Sequence, residues 1–177
     1  RTVESISDEI VETCELEVCF VVVDEKRRGF GCLSADKNEI QNAYVPQKND
    51  ILISPGAPWA FADYITIIES IKSSIFSLKV IIYDLIPYLF PHFYENPDFG
   101  RYYFNFITQL VSNASSVYCI SECTKKDLLS NTNLPSLDGK TQVIQLGNNF
   151  NGNRKFDENC DLKLNQFKNN ILCVGTI

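Results

Sequence analysis

The chain predicts an α/β fold in which a parallel sheet carries helices on both faces, and three observations predict it. Short, unbroken apolar runs rich in Val and Ile recur along the sequence, the pattern of strands buried on both sides. Segments with apolar residues at helical spacing separate these runs. Pro, Gly, Ser and Asn gather where one pattern gives way to the other and the chain must turn. Alternating strands and amphipathic helices of this kind specify a doubly wound, Rossmann-like sheet.

Residues 2–13 place Val3, Ile6, Ile10 and Val11 at helical spacing, with Glu4, Asp8 and Glu9 toward the N-terminal side, where acids suit the helix dipole. The run Val18-Cys19-Phe20-Val21-Val22-Val23 predicts a strand buried in the parallel sheet. Residues 29–49 are polar and mixed, and read as a loop with a weak strand at Ala43-Tyr44-Val45. Asp50-Ile51-Leu52-Ile53-Ser54 predicts the next strand, closed by Pro55-Gly56-Ala57-Pro58. Residues 60–76 follow as a helix through Phe61, Ile65, Ile68, Ile71 and Ile75. The strongest strand is Lys79-Val80-Ile81-Ile82-Tyr83-Asp84-Leu85-Ile86, after which Pro87 and Pro91 force the chain out of the sheet.

Residues 99–113 predict a helix whose aromatic face, Phe99, Tyr102, Tyr103, Phe106 and Leu110, reads as core. Ser116-Val117-Tyr118-Cys119-Ile120-Ser121 returns as a strand, and either Ser121 or Thr124 caps a short helix through Leu129. Gln142-Val143-Ile144-Gln145-Leu146 is a further strand, ended by Gly147. Residues 148–170, rich in Asn and charge, read as a connection with one short helix at 162–167. Ile171-Leu172-Cys173-Val174-Gly175 is one more buried strand. The chain is thereby partitioned into a domain over residues 1–150, an interdomain connection over 151–170 and, in 171–177, the first strand of a second domain.

With 177 residues, 45% hydrophobic and 21% charged, the chain has the composition of a folded globular domain rather than of a disordered segment. A net charge of −6, from 16 basic and 22 acidic residues, argues against a nucleic-acid partner, because phosphate neutralisation needs clustered Lys and Arg. The basic clusters are Lys26-Arg27-Arg28 and Lys125-Lys126, and the first, following Asp24-Glu25 after an apolar strand, reads as a solvated loop. Seven cysteines, Cys14, Cys19, Cys32, Cys119, Cys123, Cys160 and Cys173, are an odd number set largely among apolar neighbours, which fits reduced thiols in a cytoplasmic protein.

Cys119 and Cys123 alone approach metal-ligand spacing, and His92 is the single histidine, so no metal is expected. No segment reaches the roughly 18 to 20 apolar residues of a membrane-spanning helix. Nothing at the start reads as a secretion leader. Asn113-Ala114-Ser115 matches a glycosylation sequon, which has no meaning in a cytoplasmic chain.

Parallel sheets bind ligands at the C-terminal ends of their strands, which singles out Ser54-Pro55-Gly56, Tyr83-Asp84, Ser121-Glu122, Gly147-Asn148 and Gly175-Thr176. Asp84 ends a strand that carries no other charge after Lys79, so its carboxylate either faces a ligand crevice or caps a neighbouring turn. Trp59, the single tryptophan, follows Pro-Gly-Ala-Pro, where it can stack on a sugar ring or pack beneath the loop. His92, in Pro91-His92-Phe93-Tyr94, is a general base or an ordinary loop residue, and no carboxylate is fixed beside it by spacing. No Gly-x-Gly-x-x-Gly follows a strand, and there is no Walker loop or Gly-x-Ser-x-Gly elbow, which disfavours dinucleotide oxidoreductases, P-loop enzymes and α/β-hydrolases.

The string Val80-Ile81-Ile82-Tyr83-Asp84-Leu85-Ile86-Pro87-Tyr88-Leu89-Phe90-Pro91, followed by Val117-Tyr118-Cys119-Ile120-Ser121-Glu122-Cys123-Thr124-Lys125-Lys126-Asp127-Leu128, resembles the N-terminal lobe of family 4 glycosyltransferases of the GT-B fold. Asp50 through Trp59, Val143 through Gly147 and the segment 171–177 resemble the strands of the same lobe and the first strand of the next, so the resemblance spans nearly the whole chain. It implies transfer of a sugar, with retention, from a nucleotide-diphosphate sugar to an acceptor hydroxyl, in polysaccharide or glycan synthesis and with no cofactor beyond the donor itself. It implies Asp84 as the catalytic residue, and Trp59, Tyr83, Ser121, Glu122 and His92 around a sugar or glycolipid acceptor. Gly147, Gly175 and Thr176 would let backbone approach the donor, held mainly by a C-terminal domain.

Many members of the family carry His-Asp where this chain has Tyr83-Asp84, so the histidine's role is not carried over. The family's glycine-rich loop would precede Arg1 and its Glu-x7-Glu motif would follow Ile177, so this stretch alone is expected to be inactive. An apolar surface where a second lobe would dock is expected, with homodimerisation or aggregation of the isolated stretch as its consequence, and peripheral membrane association is a separate expectation of the glycosyltransferase reading. The competing expectation is a non-catalytic Rossmann-like binding module.

Overall fold

The computed structural model describes residues 19–24, 26–33, 39–55, 58–71 and 76–145. The chain divides into two units, Arg1–Leu146 and Gly147–Ile177, and every described residue belongs to the first. The expected N-terminal helix, the connection and the strand at 171–175 lie outside the described residues, as do Gly147, Gly175 and Thr176.

Two sheets make up the described fold. The first holds β1 (Val21–Asp24), β2 (Gly29–Leu33) and β3 (Ile40–Tyr44), in that order and antiparallel throughout. The second holds β4 (Ile51–Ser54), β5 (Ser77–Ile82), β6 (Ser116–Cys119) and β7 (Thr141–Val143), all parallel and side by side in chain order. Helices join the parallel strands: α1 (Tyr64–Ile71) between β4 and β5, α2 (Ile86–Leu89) and α3 (Phe99–Asn113) between β5 and β6, and α4 (Glu122–Asn131) between β6 and β7. This is the α/β, Rossmann-like architecture that the alternating pattern predicts.

Register places Leu52, Ser54, Leu78, Val80, Ile82, Val117, Cys119 and Thr141 on one face of the parallel sheet, and all of them are buried. The apolar ones, Leu52, Leu78, Val80, Ile82, Val117 and Cys119, join one core with Ile65, Ile67 and Ile68 of α1, Phe106, Ile107, Leu110 and Val111 of α3, and Leu128 of α4. Each such side chain contributes about 1.5–3 kcal/mol by leaving water. On the opposite face Ile81 is buried, Lys79 and Tyr118 are half-buried, and Ile51 and Ile53 are exposed. Val23 and Phe30 tie the antiparallel sheet into the same core, Phe30 meeting Tyr64 of α1 edge to face at 6.0 Å. The end of α3 is held from below: Lys140 Nζ donates to the carbonyls of Val111 and Ala114, each at 2.8 Å, where helix carbonyls lack partners.

The segment 18–23 is the main correction. The strand found there is Val21–Asp24, in an antiparallel hairpin with β2 and not in the parallel sheet, and Val18 lies outside the described residues. Asp24 explains the turn: its carboxylate accepts the Arg27 N–H at 3.2 Å and pairs with the Arg27 guanidinium at 3.0 Å, while Arg28 takes φ 49°. Four residues cannot carry a parallel crossover, so the strand that follows must run back alongside the first.

The expected loop at 29–49 therefore contains two strands, and the weak one lies at Ile40–Tyr44 rather than at 43–45. Glycines in β2 and an exposed β3 hid both from an apolar pattern. The strongest strand ends at Ile82, earlier than expected, because Ile86 and Pro87 open α2, where proline's missing N–H is harmless. Of the helix expected over 60–76, Tyr64–Ile71 is helical after a 3₁₀ turn at Pro58–Ala60, and residues 72–75 lie outside the described residues. The strands expected at 116–121 and 142–146 are Ser116–Cys119 and Thr141–Val143, and the helix expected to end at Leu129 runs to Asn131.

Gly100 shows how closely α2 and α3 approach. A Cβ at this position would sit 2.3 Å from the Pro87 carbonyl oxygen and 3.3 Å from the Tyr88 Cα, so backbone would have to move. Overpacking of this kind costs about 1–3 kcal/mol, against a helix-propensity gain of at most about 1. Gly100→Ala is expected to lower stability by about 1–2 kcal/mol in denaturant titration, whereas Gly139→Ala, with nothing within 4 Å, is expected to leave it unchanged.

Candidate functional site

Of the residues expected at strand ends, Ser54, Pro55, Tyr83, Asp84, Ser121 and Glu122 lie among the described residues. Tyr83 and Asp84 follow β5, Ser121 follows β6, and Pro55 follows β4. Three long-range hydrogen bonds hold the end of β5, one to the end of β4 and two to the flanking helices. Tyr83 Oη donates to the Pro55 carbonyl at 2.8 Å, Thr124 Oγ1 donates to the Tyr83 carbonyl at 2.9 Å, and Tyr103 Oη donates to the Asp84 carbonyl at 2.8 Å. Burial pushes the Tyr83 and Tyr103 phenols above the usual tyrosine range, with the Asp84 carboxylate and Tyr94 adding to the effect on Tyr103. Both therefore stay neutral donors at physiological pH.

Asp84 is half-buried, and its Oδ1 accepts the Ile86 N–H at 2.9 Å, an Asx turn that starts α2. Among the described residues its Oδ2 accepts no hydrogen bond. Among the described residues the carboxylate thus does one structural task, through Oδ1.

Ser121 resolves the capping alternative. Its Oγ accepts the Thr124 N–H at 3.1 Å and lies 3.0 Å from Thr124 Oγ1, so Ser121 is the N-cap and Thr124 the latch to β5. Glu122 is exposed in the first turn of α4.

Trp59 packs rather than projects. Its ring meets Tyr103 edge to face at 5.0 Å and its carbonyl accepts Tyr102 Oη at 3.0 Å. Together with Ser54, Pro58, Tyr83 and Ile107 the two aromatic rings line a shallow recess at the ends of β4 and β5. Tyr64, the first residue of α1, hydrogen-bonds Ser54, and burial pushes its phenol above the usual tyrosine range.

His92 stands apart from this group. It lies exposed in the 3₁₀ turn Pro91–Phe93, its ring 4.3 Å from that of Phe93. Ile86, Phe90 and Phe93 are exposed beside it, Phe93 to 71%, giving this segment an apolar surface. Tyr102, expected in the core, is 48% exposed because it lies on the outer side of α3. Cys119 is buried, which pushes its thiol up to about 11, whereas Cys123 is exposed on α4. Among the described residues no group of three or more His, Cys, Asp or Glu is placed to hold a metal, and no helix is long and apolar enough to cross a membrane.

Sequence reasoning missed Thr124 as the link between strand ends and Tyr103 as the support of Asp84. Tyr103 carried one usable signal: a tyrosine inside an otherwise apolar stripe must find a partner for its hydroxyl once buried. No protein-family model, curated protein or solved structure matches the chain.

Proposed function

We propose that this chain is the acceptor-side lobe of a retaining glycosyltransferase of the GT-B fold, which moves a sugar from a nucleotide-diphosphate donor to an acceptor hydroxyl in polysaccharide or glycan synthesis. The observation that carries the reading is Asp84, with Oδ2 uncommitted among the described residues, at the C-terminal edge of a parallel sheet beside Tyr83 and Ser121. A carboxylate there accepts a hydrogen bond from an acceptor hydroxyl and orients its oxygen toward a donor. Glu122 is placed to hold further hydroxyls of the acceptor, while Trp59 acts through Tyr103 to support the floor. Gly147, Gly175 and Thr176 belong to the donor side of the same reading. The enzyme then works in the cytoplasm, at the membrane surface when its acceptor is a glycolipid.

The competing reading is a non-catalytic interaction module. It is favoured by the fact that Tyr83 Oη, Ser121 Oγ and Asp84 Oδ1 already serve internal hydrogen bonds.

The test is a transfer assay on the full-length protein with labelled nucleotide-diphosphate sugars and a panel of glycan and glycolipid acceptors. Label in acceptor, with the anomeric configuration of the donor kept, is the expected result. Absence of both transfer and donor hydrolysis across the panel would favour the interaction module.

A further inference from the structure

Outside the strand-end site, the antiparallel sheet brings two thiols together. Val21 pairs with Cys32, and Leu33 N donates to the Phe20 carbonyl at 2.8 Å, so the ladder continues one residue beyond β1. Strand side chains alternate, which puts Cys19 on the same face as Val21 and therefore diagonal to Cys32. The two sulfurs are 2.8 Å apart, across 13 residues of chain. Val23, Phe30 and Tyr44 share that face by register, so it runs from core-buried Val23 and Phe30 outward to the cysteines.

Three further features favour chemistry at this pair. Cys19 is exposed and Cys32 partly so, which admits a small reagent. The β2–β3 register shifts between Cys32 and Leu33, with Gln41 of β3 as the extra residue, so the ladder is interrupted beside Cys32. On the same rim Tyr44 Oη donates to Asp50 Oδ2 at 2.6 Å, which holds the Asp50 carboxyl below its usual range and fixes β3 to the start of β4. The scaffold under the thiols is thus anchored on both sides. Cys119, by contrast, is buried, and Cys123 sits alone on a helix.

We propose that Cys19 and Cys32 form a reversible disulfide site, oxidised by low-molecular-weight disulfides such as oxidised glutathione. The thiolate of Cys19 attacks one sulfur of the reagent, forming a mixed disulfide and releasing one glutathione thiolate. The thiolate of Cys32 then attacks Cys19 Sγ, closing the intramolecular bond and releasing the second glutathione. The protein loses two electrons and two protons, and the reagent gains both as two thiols.

The test treats the whole chain with oxidised glutathione, blocks remaining thiols with an alkylating reagent, and maps the digest by mass spectrometry. The expected product is a Cys19–Cys32 linked peptide lighter by two hydrogens, with glutathione adducts confined to other exposed thiols such as Cys123. In Cys32→Ser the second step is impossible, so Cys19 is expected to accumulate the glutathione adduct. Denaturing the chain in urea before oxidation is expected to lower the linked product on the order of tenfold, because the fold supplies the proximity. Recovery of Cys19 and Cys32 as separate alkylated or glutathionylated peptides from the folded chain would overturn the proposal, as would an equal linked yield in urea.

Discussion

Truncating Leu110 to alanine is expected to lower stability by about 2–5 kcal/mol, the range for removing a buried leucine and leaving part of its space empty. Leu110 is 2% exposed and sits in the core with Val80, Val117 and Val111, where α3 crosses the parallel sheet. Its neighbours are strand and helix side chains fixed by the sheet register, so they have little freedom to collapse into the hole. A domain of this size holds only about 5–15 kcal/mol in total, so a loss of about 2–5 kcal/mol is a substantial fraction of its stability. Chemical denaturation of both proteins measures the difference as a shift in midpoint at constant slope. A loss under about 1 kcal/mol would mean that α3 does not pack on the sheet as described.

Asp84→Asn is expected to reduce sugar transfer by the full-length protein on the order of a hundredfold, about 2.7 kcal/mol of transition-state stabilisation, while leaving the fold intact. The asparagine side-chain oxygen can still accept the Ile86 N–H, so the turn into α2 survives. What disappears is the negative charge of the carboxylate. A variant that melts with the parent protein but transfers poorly assigns Asp84 to the reaction. Full transfer by a folded variant would reduce Asp84 to its turn and remove the main support for a catalytic strand end.

Much of the parallel half was legible before any coordinates, because buried strands and the helix between them carry unbroken or strictly periodic apolar patterns. Helix α3 falls on residues 99–113 as its spacing predicts, and β4 lies within the expected 50–54. The antiparallel sheet was not legible in the same way. An all-apolar run reads alike in either kind of sheet, and only the four residues between β1 and β2 separated the two cases.

At the strand ends, topology alone brought Tyr83, Asp84 and Ser121 into one neighbourhood. It could not reveal that Tyr83 is spent on Pro55 or that Thr124 reaches back to Tyr83, since these bonds join residues 28 and 41 apart in the chain and leave no local period. Trp59 illustrates the same limit: its loop position suited stacking on a ligand, and its actual partner, Tyr103, lies on a helix forty-odd residues later.

Strand order has one more consequence, for the way this chain is made. Because β4, β5, β6 and β7 lie side by side in the order of synthesis, no strand must be inserted between two that are already paired. Among the described strands, each new one leaving the ribosome finds the earlier strand it pairs with already made, and the helix just made is at hand to cover the joint. A sheet assembled in this sequence exposes one growing edge at a time, which shortens the interval in which a nascent chain can pair with the wrong neighbour.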